Sequence, residues 1–127
     1  MKTRIVLLMM TLAFSGLAQA EDDGLFEMRT YITNDGKLDA LHDRFRNHTM
    51  AFFETHGMQN VAYWTPAEQP NTLIYVLEHA SAEAAATNWK NFIADPAWQA
   101  VYAESIEDGA LVKDIQSVFM KKTAFSP

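Results

Sequence analysis

The sequence predicts an α+β domain of ferredoxin-like order, βαββαβ: a four-stranded antiparallel sheet with its helices on one face. Three observations predict it. Leu38, Leu41, Phe45, His48 and Phe52 recur at steps of three and four, the stripe of one amphipathic helix, and Gly57 stands where that helix must stop. Four short segments, at 25–32, 58–64, 72–79 and 111–120, carry the branched and aromatic residues of strands. A second helical stretch, after the third strand, is broken once at Asp95-Pro96. That order is the split βαβ pattern, and two helical units can cover only one face of such a sheet.

Residues 1–20 stand apart from this domain and read as a cleaved secretory signal. Lys2 and Arg4 precede an apolar run, and Ala18-Gln19-Ala20 matches the small-x-small cleavage pattern. The run is shorter than the about 20 apolar residues of a membrane span, so no stable membrane anchor is expected and the product is periplasmic or secreted. The mature domain is then 21–127, long enough for a core. Losing Lys2 and Arg4 takes the net charge from −6 to −8. An acidic surface argues against nucleic acid and anionic membrane as partners. The chain has no Cys, which excludes disulfides and thiolate metal sites.

Within the domain, 25–32 alternates, with Phe26, Met28, Thr30 and Ile32 on one face and Leu25, Glu27, Arg29 and Tyr31 on the other. Asn34-Asp35-Gly36 is a turn, and Asn34 or Asp35 is placed to cap the helix that runs to about His56. The second strand follows Gly57 directly. Pro66 and Pro70 mark the surface link to the third. Ser81 reads as the N-cap of a helix over 82–93, Asp95 and Pro96 as the cap and first turn of a short continuation, and Gly109 as its break before the last strand. The third strand is apolar on both faces, Leu73, Tyr75 and Leu77 against Ile74 and Val76. A sheet with one wet face should alternate apolar and polar, so the face without helices needs a cover, and a second copy of the chain is the simplest one.

The segments EMRTYI (27–32), RFRNHT (44–49), FETHGM (53–58), YWTP (63–66) and WKNFIADPAWQ (89–99) resemble the NIPSNAP family, in order and over nearly all of the mature chain. The resemblance implies a dimeric α/β barrel in which two ferredoxin-like sheets pack face to face. It supplies no agreed catalytic residues, and no cofactor is expected. The wider superfamily holds cofactor-free monooxygenases, haem-degrading enzymes and proteins of unknown activity.

His48 is the candidate catalytic residue, since a His in the buried register of the helix is either a base facing a helix–sheet pocket or a hydrogen-bonded core residue. Phe45, His48, Phe52 and Trp64 are the candidate ligand-binding set. Trp64, Trp89 and Trp98 could line an aromatic cavity, although such residues more often fill cores. His42, His48 and His56 share the helix at spacings of six and eight, which do not suit one metal ion, and no metal site is expected. His56 suits the helix C-terminus. In such a dimeric barrel the Glu27, Arg29 and Tyr31 face of the first strand would meet the partner sheet, where Arg29 either pairs with Glu27 or a partner carboxylate, or binds an acidic ligand. These residues predict an exported homodimer that binds a small, partly apolar molecule between helix and sheet. A cofactor-independent monooxygenase-like or isomerase-like enzyme using His48, and a non-catalytic dimeric assembly module, are the alternatives.

Overall fold

The computed structural model describes residues 24–127; the signal segment at 1–20 lies outside them. Strands β1 (Leu25–Thr33), β2 (Gln59–Trp64), β3 (Thr72–His79) and β4 (Val112–Met120) form one antiparallel sheet in the order β2-β3-β1-β4. Helices α1 (Leu38–Arg44) and α2 (Met50–Thr55), joined through a π turn at Phe45–Thr49, make one continuous unit between β1 and β2; α3 (Ala82–Ala94) and α4 (Pro96–Ser105) join β3 to β4. This is the ferredoxin-like arrangement that the sequence predicts, with strand ends displaced by at most one residue.

Local chemistry accounts for most of the boundaries. Ser81 Oγ accepts the Ala84 N–H at 3.0 Å, and Asp95 Oδ1 accepts the Ala97 N–H at 2.9 Å ahead of Pro96. Gly57 takes φ +77°, the left-handed conformation that a helix end needs and a Cβ resists. The start of α1 differs from expectation. Neither Asn34 nor Asp35 caps it; Lys37 holds the cap position without a side-chain capping bond, its Nζ donating to the Asp108 carbonyl instead. Asn34 is taken by the fold instead, its Nδ2 donating to the Ala110 carbonyl at 2.9 Å.

The larger difference is the π turn. The Met50 N–H reaches back to the Phe45 carbonyl, and Thr49 Oγ1 donates to the Arg44 carbonyl at 3.3 Å. In an α-helix, residues spaced by four drift about 40° per step around the axis. Absorbing one extra residue in the wide turn removes that drift, so Leu41, Phe45, Thr49 and Phe53 all stay buried. The same unwinding corrects the predicted stripe: His48 is carried to the solvent side and Phe52 to the half-buried flank.

The helices cover the face that carries Glu27, Arg29 and Tyr31 on β1 and Leu73, Tyr75, Leu77 and His79 on β3. Phe45 meets Tyr31 edge-on and Tyr75 at a tilt, and Phe53 stacks on Tyr75. This corrects the expectation that Glu27, Arg29 and Tyr31 look toward a partner sheet. Cross-strand register puts Phe26, Met28, Thr30 and Ile32 on the opposite, uncovered face with Ile74, Val76, Ala62, Trp64 and Val118.

Candidate functional site

Aromatic and aliphatic side chains and one guanidinium line a cavity beside the sheet. It occupies about 660 Å³ between α4 and the β1–β4 side of the sheet, a size that suits a small organic molecule. Helix α4 supplies Trp98 and Tyr102, one turn apart; β4 supplies Ile115; Ile106 and Leu111 close the lower end. Tyr31 forms the floor from β1.

Arg44 projects into this apolar surrounding from the last position of α1. The residue is 7% exposed, and its guanidinium lies 5.4 Å from the ring centres of both Trp98 and Tyr102. One amino group donates to Ser105 Oγ at 3.1 Å, and that hydroxyl donates in turn to the Tyr102 carbonyl. Its Nε is buried with no partner. Among the described residues Arg44 forms no ion pair. Removing a charge from water costs several kcal/mol. Two cation–π contacts return about 0.5–2 kcal/mol each and supply no negative charge. Burial accordingly pushes the Arg44 pKa down from the usual arginine value.

Beside it, around Glu27, lies the opposite situation. Oε1 accepts from Trp89 Nε1 at 2.7 Å and from His79 Nε2 at 2.8 Å; Oε2 accepts from Ser117 Oγ at 2.7 Å and from Arg29 at 2.9 Å. Arg29 also donates to Tyr75 and Tyr31, whose hydroxyls are bonded to each other, and stacks over Trp89. Burial would raise the Glu27 pKa, but the bonds from His79, Ser117, Trp89 and Arg29 outweigh it and hold the pKa at about 2. Every oxygen and every guanidinium nitrogen here is used. The Arg29–Glu27 pairing expected from sequence is present within one chain, and the charge it carries is already matched.

The predicted binding residues do not converge. Phe45 and Trp64 border a second, smaller hollow of about 390 Å³ with His42, whose Nε2 is buried and unpaired. His48 is exposed, on a polar groove between α1 and α4 with Asp43 and Glu104. Phe52 packs on Trp98 instead. His56 closes the end of α2, but through Asp95 Oδ2 at 2.8 Å rather than through the helix carbonyls, and that bond lowers the Asp95 pKa. Among the described residues no cluster of three or more His, Asp or Glu could hold a metal ion. Arg44 is the functional candidate that sequence reading missed. The available signal was its position three residues after Leu41 and next to Phe45, where a helical charge must be buried.

The NIPSNAP family model matches residues 26–127. A NIPSNAP family protein of unknown function from Agrobacterium tumefaciens superposes with a TM-score of 0.73 at 23% identity, covering 84% of this chain and 94% of that one. An uncharacterised NIPSNAP-like domain protein from Burkholderia xenovorans gives 0.73 at 19% identity, covering 84% and 90%. A Nitrosomonas europaea protein with the provisional name antibiotic biosynthesis monooxygenase gives 0.60 at 9% identity, covering 84% and 96%. None of the curated proteins matches the chain.

Proposed function

The chain belongs to the NIPSNAP family, and on that footing we propose that it is an exported homodimeric binding protein for a small, partly apolar molecule. The observation that carries the reading is the cavity above Tyr31, walled by Trp98, Tyr102 and Ile115 and large enough to enclose such a molecule. The site differs from the Phe45, His48, Phe52 and Trp64 set, which spreads over separate surfaces. The enzyme alternative draws on a shared fold with the monooxygenase-like neighbour, and a fold alone does not carry chemistry. His48, exposed on a groove that shares Arg44 with this cavity, does not line the cavity itself.

Filling the cavity tests the binding reading. Ala110 lines it and is itself exposed, so Ala110→Trp should leave stability within about 0.5 kcal/mol while abolishing uptake of an apolar fluorescent dye. Undiminished dye binding by the variant, measured by fluorescence titration, would reject the cavity as the site.

Homodimer formation is supported by an inversion in the sheet. The polar set of β1, Glu27 and Arg29, lies under the helices, and the apolar set, Phe26, Met28 and Ile32, is left open. Water should face the polar set if the open side were wet. The two acids of the open face, Glu78 and Asp114, stand opposite Phe26 and Ile32 at its two ends, leaving the centre uncharged. A patch with an uncharged, apolar centre fits a second copy better than it fits a charged partner. Export rests on residues 1–20, and the secreted or periplasmic form should begin at or near Glu21. N-terminal sequencing of protein recovered outside the cytoplasm checks this; an intact Met1 in a membrane fraction would refute it.

A further inference from the structure

We infer that the molecule bound in the α4–β4 cavity is a monocarboxylate with an apolar body, its carboxylate paired with Arg44. The inference rests on the binding reading above and adds the chemistry of the ligand. The cavity wall carries three charged residues, Arg44, Lys113 and Asp114. Lys113 is exposed to water on β4, where solvent screens it, and Asp114 belongs to the open face by its pairing with Ile32, whereas Arg44 is buried and has no carboxylate partner among the described residues. The cavity therefore holds one buried, unpaired positive charge, which matches one negative charge rather than two.

The form of the cation narrows the class further. A guanidinium presents a planar fork that takes a carboxylate through two parallel hydrogen bonds. In Arg44 one amino group is committed to Ser105, and the Trp98 and Tyr102 rings fix the plane. The contrast with Arg29 is instructive. That guanidinium has the same kind of aromatic cover, on Trp89, together with a carboxylate of its own chain at 2.9 Å. Arg44 has the cover without the carboxylate. The chain is acidic overall, at −6, and repels small free anions. An anion therefore needs an apolar body to reach Arg44, and the walls of Trp98, Ile106 and Ile115 supply the surface for it.

Calorimetric titration of the purified protein with decanoate, 1-decanol and decyl phosphate at neutral pH tests this. Decanoate should bind at least about tenfold more tightly than 1-decanol, a difference of about 1.4 kcal/mol, and decyl phosphate should bind no more tightly than decanoate. Arg44→Met should bring decanoate down to the affinity of the alcohol and leave 1-decanol unchanged. Equal binding of acid and alcohol by the unmodified protein overturns the inference and leaves the apolar-molecule reading standing. Absence of binding by all three overturns both. Decyl phosphate binding about tenfold more tightly than decanoate overturns the carboxylate assignment. Should Arg44→Met fail to fold, the ratio of acid to alcohol on the unmodified protein decides alone.

Discussion

Glu27→Ala is expected to destabilise the domain by about 3–5 kcal/mol, read as a lower midpoint in urea, because it strands a buried charge. The carboxylate is 1% exposed and is the acceptor for four donors. Two of those donors cannot change role: Arg29 and the Trp89 indole only donate. They contact different oxygens of Glu27. Glu27→Gln is therefore no conservative change, since either orientation of its amide turns an NH₂ toward one of these two obligate donors. It should lose most of the same stability. A loss below about 1 kcal/mol for both variants would show that water replaces the carboxylate and that the network is not a structural anchor.

The same residue sets an acid limb. Its pKa falls from 4.5 to about 2 on folding, so the folded state favours the ionised form. The stability this contributes, about 3 kcal/mol, is fully present above about pH 4.5 and is lost as pH drops toward 2. Asp95, lowered by His56, acts in the same direction. Glu27→Ala should flatten the fall in stability between pH 4.5 and 2 as well as lower the plateau at neutral pH. An unchanged acid limb would assign acid unfolding to other carboxylates.

Why some of this was legible in the sequence and some was not follows from the range of the interactions. Ser81, Asp95 with Pro96, and Gly57 act on backbone groups within a few residues, so their types alone mark the helix ends. Thr72–His79 is read to the residue because its branched and aromatic content is bounded on both sides by turn chemistry. The π turn has no such local signature. A hydroxyl bond from Thr49 to the Arg44 carbonyl, five residues back, accompanies it, but the turn is fixed by the fit of Phe45 and Phe53 against Tyr75, contacts that span the fold. Assuming a straight α-helix placed His48 inside, and one extra residue in one turn reverses that; Arg44 precedes the turn, and its burial follows from its place three residues after Leu41. Alternation on β1 correctly separated Glu27, Arg29 and Tyr31 from Phe26, Met28 and Ile32. It could not say which set the helices take, because aromatic residues from another element, Trp89 above all, make the polar set buriable.

Two adjacent substitutions on β3 should fail in opposite ways. Ile74 lies on the uncovered face between Thr30 and Trp64, and Tyr75 is fully buried among Phe45, Phe53 and Tyr63 on the helix side. In a dimer that joins the open faces, Ile74→Asp places one carboxylate per subunit into an apolar interface with no cation to meet it. Each costs several kcal/mol, and dimer affinity should fall by at least about a thousandfold. The monomer loses no core contact, so its helical circular dichroism should persist while sedimentation shifts to the smaller species. Tyr75→Asp removes the ring that four aromatic neighbours pack on and leaves Arg29 Nε without its acceptor. That variant should not fold at all. The pair separates an interface residue from a core residue with a single step along one strand. If unmodified protein sediments as a compact monomer at micromolar concentration, the open apolar face has some other cover and the dimer is wrong; if it is a dimer that Ile74→Asp leaves intact, the subunits meet through another surface.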